Sequence, residues 1–437
     1  MNKIRIDYEK YKEDAIQQAI DEAYSFGGGV VEIPKGIYIS KPITIKSNVC
    51  LKTKKGALII FKKKKEWYPL TLTEYEGVKR IRAISPINAY CAKNIKIVGK
   101  GIFDGDGFSW RPLKEFKVTP KFFKNSCLAK SPNTFIETKE GKIWYPTESS
   151  YALAVLGDEP APTKENLEKY QDNYDYFRPV FVSLVKCENV LLDGPTFRNS
   201  PAWNIHPLFT NHLTIKNCYI YNESYAQNGD GIDVESCSHV LIKDNIISVG
   251  DDGICLKAGK NREARMTPIP TKDVVIKKNI VYNAHGGIVF GSEMSRSILN
   301  VYCDNNVFIG TDIGLRFKTQ IGRGGQVKNI NITNTYMHDI KEEAIILTCG
   351  YELFRMANES RDIVDEIKED DYPEFTNIEI SNLECTSAKV AISINGLKDK
   401  PINNIRFKNI KISAKEGIKE ENAINITYEN VDIEEEK

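Results

Sequence analysis

Apolar and polar residues alternate along most of this chain in short bursts, and almost every burst is bracketed by Asn, Asp or His. The pattern N/H-V/I-x-I/F-x-N/D recurs as "NIKIVG" at Asn94, "NVLLDG" at Asn189, "HLTIKN" at His212, "HVLIKD" at His239, "DVVIKK" at Asp273, "NINITN" at Asn329, "NIEISN" at Asn377, "NIRFKN" at Asn404 and "NVDIEE" at Asn430. A period of two is strand periodicity, with one face turned inward. The equivalent apolar positions Val190, Leu213, Val240, Val274 and Val301 stand 23, 27, 34 and 27 residues apart. A unit of that size cannot bury its own apolar face and must stack on its neighbours. The Asn that closes each burst suits a tight corner, because Asn tolerates left-handed backbone geometry.

The pattern therefore predicts an all-β, right-handed parallel β-helix. Leucine-rich repeats have comparable periods, but their Leu-rich consensus is missing. Only the beginning reads as helical. In "KEDAIQQAIDEAYSFGGG" the residues Ala15, Ile16, Ala19, Ile20 and Ala23 follow i, i+3, i+4 spacing and Gly27 ends the run, which predicts a short N-terminal helix capping the first coil. The whole chain, 1–437, is expected to be one β-helix catalytic domain. Two segments break the rhythm, about 108–178 and 351–374, and are expected to project as long loops, the first with enough aromatics to shape a cleft.

Aligning four successive bursts on a Gly-aliphatic pair, Gly231-Ile232, Gly253-Ile254, Gly287-Ile288 and Gly314-Leu315, puts the charged residues in columns. Asp230 and Asp252 share one column, Asp251 and His285 a second. Arg316 and Lys318 lie two and four residues past the Gly, on one face of their strand. One Asp at a corner is ordinary turn chemistry. Three crowded together cost electrostatic energy that a turn does not require. Crowded carboxylates have their pKa values driven apart, so that one donates a proton while another accepts, which is the division that hydrolysis of an acetal needs. The adjacent Arg and Lys suit a sugar that carries its own carboxylate.

Composition narrows the classes further. With 60 basic and 59 acidic residues among 437, the formal charge of +1 provides no global field to gather nucleic acid or an anionic membrane surface. No stretch has the length and apolarity of a membrane span, and the charged start "MNKIRIDYEK" lacks the apolar core of a secretory signal, so a cytoplasmic location is expected. The ten cysteines are scattered singly, as small apolar fillers in a reducing compartment. No metal and no cofactor are expected.

The four motifs "NGD" at Asn228, "GDD" at Gly250, "AHG" at Ala284 and "RFK" at Arg316, in that order and about one coil apart, resemble the signature N-T-D, G-D-D, G-H-G, R-I-K of the family-28 glycoside hydrolases, the polygalacturonases. "SPAWNIHP", "HGGIVFGSEMS" and "LRFKTQIGRGG" resemble the bacterial exo-acting branch. The resemblance implies hydrolysis of α-1,4-galacturonosyl linkages in oligogalacturonides or pectin fragments from the non-reducing end, with inversion. It implies Asp251 as general acid, Asp230 and Asp252 as the pair that handles water, and His285 as a neighbour tuning Asp251. Arg316 and Lys318 would hold a substrate carboxylate, and Asn228, Lys257, Trp203 and His206 are further candidates for contact with sugar. Asp233 and Glu235 are expected to be structural or to balance cations. An inverting acid and base are expected to stand ~6.5–9.5 Å apart. Alternatives are an endo-acting or rhamnogalacturonan-type hydrolase, a calcium-dependent pectate lyase, and a carbohydrate-binding β-helix without catalysis.

Overall fold

In the computed structural model, a β-strand at Asn2–Arg5 pairs with the strand Gly29–Ile33, and the helix Ala15–Ser25 packs across the open end of the cylinder they begin. All five residues that the helical spacing singled out are buried in that contact. The sequence pattern missed the leading strand and the short helix Tyr8–Tyr11 that follows it. The described residues are 2–75, 77–110, 177–351 and 367–435, with residue 163 and short lengths of backbone at 113–114, 135–138 and 141–144. The predicted loop at 108–178 thus lies mostly outside the described residues, as does the middle of the one at 351–374.

Thirty strands form one continuous sheet that winds as a parallel β-helix, right-handed as its sequence pattern predicts. Each middle coil contributes a strand to each of three walls. One coil runs Ile205–Leu208, Asn211–Lys216, Tyr219–Tyr221, and the next runs Ile232–Glu235, Ser238–Lys243, Ile246–Ser248. Alternate side chains point inward and stack by type, as in Val190, Leu213, Val240, Val274 and Val301, which are partners in consecutive rungs. Phe103 and Phe197 stack in the same manner, as do Phe290 and Phe317. This single apolar column is what offsets the conformational entropy of so many short strands.

Corners are held by Asn. Asn94, Asn189, Asn300, Asn329 and Asn377 open their bursts with positive φ, and Asn217, Asn305, Asn334, Asn382 and Asn409 close them with positive φ as well. Their amides bond from coil to coil, Asn189 to Asn94 at 2.8 Å and Asn329 to Asn300 at 3.0 Å. Sequence reasoning assigned left-handed geometry only to the closing residue. A second ladder lies inside, where Asn245, Asn279 and Asn306 are buried and linked at 2.9 and 3.0 Å.

A two-stranded antiparallel hairpin, Leu70–Tyr75 with Val78–Ala83, leaves the helix after its second coil. The alternation of the sequence did not reveal it. It lies over the wall built from Ile87–Tyr90, Val182–Val185 and Ile205–Leu208, enclosing a cavity of about 210 Å³ lined by Thr73, Tyr75, Arg82, Asn88, Ser183 and His206 among others.

Candidate active site

The wall on which that hairpin rests continues through Ile232–Glu235, Ile254–Lys257, Gly286–Gly291 and Ile313–Lys318. Its register is the one the sequence alignment predicted. Ile232, Ile254, Ile288 and Leu315 are partners in turn, and Asp233, Cys255, Val289 and Arg316 follow in the neighbouring column. Short turns enter each of these strands, and the acids sit where the chain leaves the turn. Asp230 and Asp252 precede their strands by one Gly, so the Gly231 N–H donates to the carbonyl of Asp252 and the Gly253 N–H to that of Gly286. No Cβ fits at Gly231, where it would lie 2.4 Å from the Gly253 carbonyl oxygen.

One oxygen from each of Asp230, Asp251 and Asp252 lies within 4.8 Å of the others. Asp230 and Asp252 are buried, while the Asp251 side chain is about one-fifth exposed at 21%. Between these nearest oxygens the gap is smaller than the ~6.5–9.5 Å expected between the carboxyl groups of an inverting pair. Its cause is the rung spacing of the sheet, ~4.8 Å, which sets the distance between residues on neighbouring coils. A single water bonded at ~2.8 Å to each of two oxygens bridges such a gap with a bent angle.

Electrostatics separates the three. Asp252 is buried, which by itself favours the neutral acid, but Lys318 Nζ at 2.7 Å and Arg316 Nη1 at 3.3 Å hold its pKa below the ordinary carboxylate value. Asp230 goes the other way, with burial first and then the charges of Asp233 and Asp251 pushing it well above that value. Asp233, fully buried, is likewise raised by burial, against the pull of Lys257. Asp230 Oδ1 and both Asp233 oxygens are buried without a hydrogen-bond donor among the described residues. The Asp251 carboxylate accepts the backbone N–H of Asp252 at 3.0 Å and faces His285 Nδ1 at 3.3 Å. The other His285 nitrogen lies 3.7 Å from Asp312. Partial burial works to lower the His285 pKa, but the Asp251 hydrogen bond and charge raise it overall.

Arg316 and Lys318, expected to await a substrate carboxylate, instead grip Asp252, and both cations also face the Tyr351 ring, with 5.5 and 5.0 Å to its centroid. Sequence reading did not single out Tyr351. Trp203, His206 and Lys257 were expected among the sugar contacts, but the structure buries all three behind the acids. Trp203 packs against Tyr75 at 4.5 Å between centroids, with the Lys257 ammonium 4.6 Å above its ring. Lys257 pairs with Glu293 at 3.1 Å and lies 3.6 Å from Asp233. His206 bonds to Glu235 at 3.0 Å, and Arg296 reaches from Glu235 to Glu74 on the hairpin. Asn228, in left-handed conformation, accepts from Arg178 at 2.7 Å and so shapes the turn that carries Asp230. Asp233 faces Lys257, and Glu235 pairs with His206 and Arg296, rather than with Arg316 and Lys318, whose columns they share.

Three carboxylates so close could also share a divalent cation. Lys318 and Arg316 already supply positive charge on the Asp252 side, so the donor set is only partly free for a metal.

The chain as a whole resembles known proteins. The chain is 27% identical over 414 residues to an exo-poly-alpha-D-galacturonosidase of Dickeya chrysanthemi, covering 91% of this chain and 64% of that one. To a probable polygalacturonase of Vitis vinifera it is 27% identical over 238 residues, 54% of this chain and 47% of the other. It thus spans less than two thirds of the length of either relative. The crystal structure of a hyperthermoactive exopolygalacturonase from Thermotoga maritima superposes with a TM-score of 0.80 at 27% identity, covering 99% of this chain and 92% of that one. Residues 165–433 match the family model "Glycosyl hydrolases family 28", a span that contains every carboxylate and cation of the site, and the chain belongs to that family.

Proposed function

We propose that this chain hydrolyses the α-1,4-galacturonosyl bond at the non-reducing end of oligogalacturonides and releases galacturonic acid with inversion. The observation that carries the reading is the cation pair on Asp252. Arg316 and Lys318 stand beside the acid cluster, at the distance at which an incoming sugar carboxylate competes with Asp252 for them. When it does, Asp252 loses part of the charge that holds its pKa down and becomes a better base. A neutral sugar lacks the group that makes this exchange, so binding of a uronate and activation of the base are one event.

Asp251, the most exposed of the three, protonates the leaving oxygen. His285, bonded to Asp251 through Nδ1, keeps that carboxyl oriented. Asp252 takes the proton of the attacking water, while Asp230, favouring its neutral form, fixes the water from the other side. A water bonded to both Asp230 and Asp252 is placed for single displacement. Exo action is supported by the hairpin Leu70–Ala83, which covers the wall on the N-terminal side of the acids and is tied there by Tyr75 on Trp203 and Glu74 to Arg296. The Dickeya and Thermotoga relatives, both named as exo-acting, point the same way.

Incubation with defined oligogalacturonides tests this. Monomer as the sole early product is expected, and a ladder of oligomers means endo action instead. Proton resonance of the first-formed anomer is expected to show inverted configuration. Retained configuration would replace the bridging water with a covalent intermediate. Chelator is expected to leave the rate unchanged, and an unsaturated product lost on chelation would identify a lyase.

A further inference from the structure

The wall formed by the strands Gly36–Ile39, Ala57–Ile60, Ile102–Asp104, Thr196–Arg198, Tyr219–Tyr221, Ile246–Ser248, Ile280–Tyr282 and Val307–Ile309, and by the end of Gln326–His338, lies away from the acids. Inward residues of these strands, such as Phe103, Phe197, Ile247 and Phe308, fill the core. The outward column should then be polar. Instead, its register runs from Ile37 through Ile102, Tyr219, Ile246 and Ile280 to Tyr336, and Thr196 is its one polar rung. Ile37 is 69% exposed, Ile246 45%, Tyr219 41% and Tyr336 40%. The column continues beyond Tyr336 as Glu384, Lys411 and Asp432, so the apolar strip has a defined end.

In the neighbouring outward column of the same strands, Asp104 and Arg198 pair at 2.8 Å. On the adjoining wall the outward column Asp193, Lys216, Lys243, Lys277 and Asp304 stands beside Leu191, Thr214, Leu241, Val275 and Tyr302, so charge is interleaved with apolar residues there.

We infer that this strip is the contact face of a dimer, its occupant the same strip of a second copy related by a two-fold axis. Nine rungs at ~4.8 Å give a strip of about 38 Å. With side chains roughly 14 Å wide, it buries roughly 500 Å² per copy and about 1,000 Å² in all, the size at which a specific interface begins. An isologous pairing lays the strip against itself in reverse, so Ile37 meets Tyr336, Ile102 meets Ile280, and Tyr219 at the centre meets its own copy. No like charges are opposed.

Sedimentation of the full chain over a wide concentration range tests the inference. A dimer is expected, and the Tyr219→Lys/Ile246→Lys protein is expected to sediment as a monomer with unchanged circular dichroism and unchanged hydrolysis. A wild-type monomer throughout, or a dimer that survives both lysines, overturns it. Should the double variant fold poorly, cysteine substitution decides. In a Cys91→Ser background, Cys91 being exposed, Tyr219→Cys is expected to oxidise readily to a crosslinked dimer while Ile37→Cys does not. Absence of crosslinking at position 219 overturns the two-fold arrangement. Protection of the strip from labelling in a monomer would mean that another part of the chain covers it, and would equally overturn the proposal.

Discussion

The Lys318 ammonium sits 2.7 Å from a carboxylate oxygen of Asp252, two coils away on the same wall. Lys318→Met is expected to lower kcat/KM by roughly 100-fold or more, the cost of removing one preorganised electrostatic partner. Because Asp252 then loses the charge that depresses its pKa, the acid limb of the pH–rate profile is expected to move to higher pH. A loss of rate with no movement of that limb would detach Lys318 from Asp252 in function.

Asp251→Asn retains an oxygen for the Asp252 N–H, so the fold is expected to survive while hydrolysis of oligogalacturonides falls by ~10²–10⁴-fold, the usual range for a lost general acid. An aryl galacturonide with a good leaving group needs little protonation. Its cleavage is expected to suffer far less, and equal losses on both substrates would remove Asp251 from the acid role.

His285 gains its raised pKa from Asp251, so the imidazolium persists to higher pH than a free histidine. The contribution of this contact to stability is present below ~6.5 and is lost as pH rises through the folded-state value. His285→Gln is expected to erase the basic limb of kcat above that point while KM changes less. Proton exchange at the imidazole, followed by resonance through the same window, is the direct check.

Asp233 is expected to reveal itself in stability rather than turnover. Its folded pKa lies well above 3.8, so the stability it contributes is complete below that pH and is lost as pH rises through the folded-state value. Asp233→Asn is therefore expected to raise the melting temperature at neutral pH by roughly 1–3 °C and to give no gain in acid, a shift of the size one kcal/mol produces in a large domain. Calorimetry at two pH values decides, and a gain of equal size at both would exclude titration as its cause.

Tyr75 and Glu74 tie the hairpin to the acid-bearing wall. Tyr75→Ala combined with Glu74→Gln is expected to loosen that tie and to add dimers and trimers of galacturonate to the early products. Monomer alone from this variant would place the barrier elsewhere.

Much of this was legible from spacing. Stacked coils convert a repeat into columns, so aligning Gly231, Gly253, Gly287 and Gly314 was enough to bring Asp230 to Asp252 and Asp251 to His285. What spacing could not convey was depth. Trp203 and His206 lie on the coil before Asp230, yet they are covered by a hairpin inserted about 120 residues earlier in the chain, and Lys257 is buried behind Trp203. No local pattern reports a cover that comes from so far away. The grip of Arg316 and Lys318 on Asp252 was hidden for a related reason, since a column fixes which way a side chain leaves its strand and leaves its endpoint open. Tyr351 has no motif of its own and is found only by where its ring lies.

The Asn ladder at the corners has a bearing on how such a protein changes over time. Where one coil closes on the next with the same amide-to-amide link, as from Asn189 to Asn94 and from Asn329 to Asn300, a residue can be traded to the equivalent place one coil away without disturbing the corner. Each trade moves its side chain along the cleft by one fixed step of ~4.8 Å. The reach of the enzyme along a sugar chain can therefore be retuned in discrete increments by single substitutions, while the cylinder itself stays as it is.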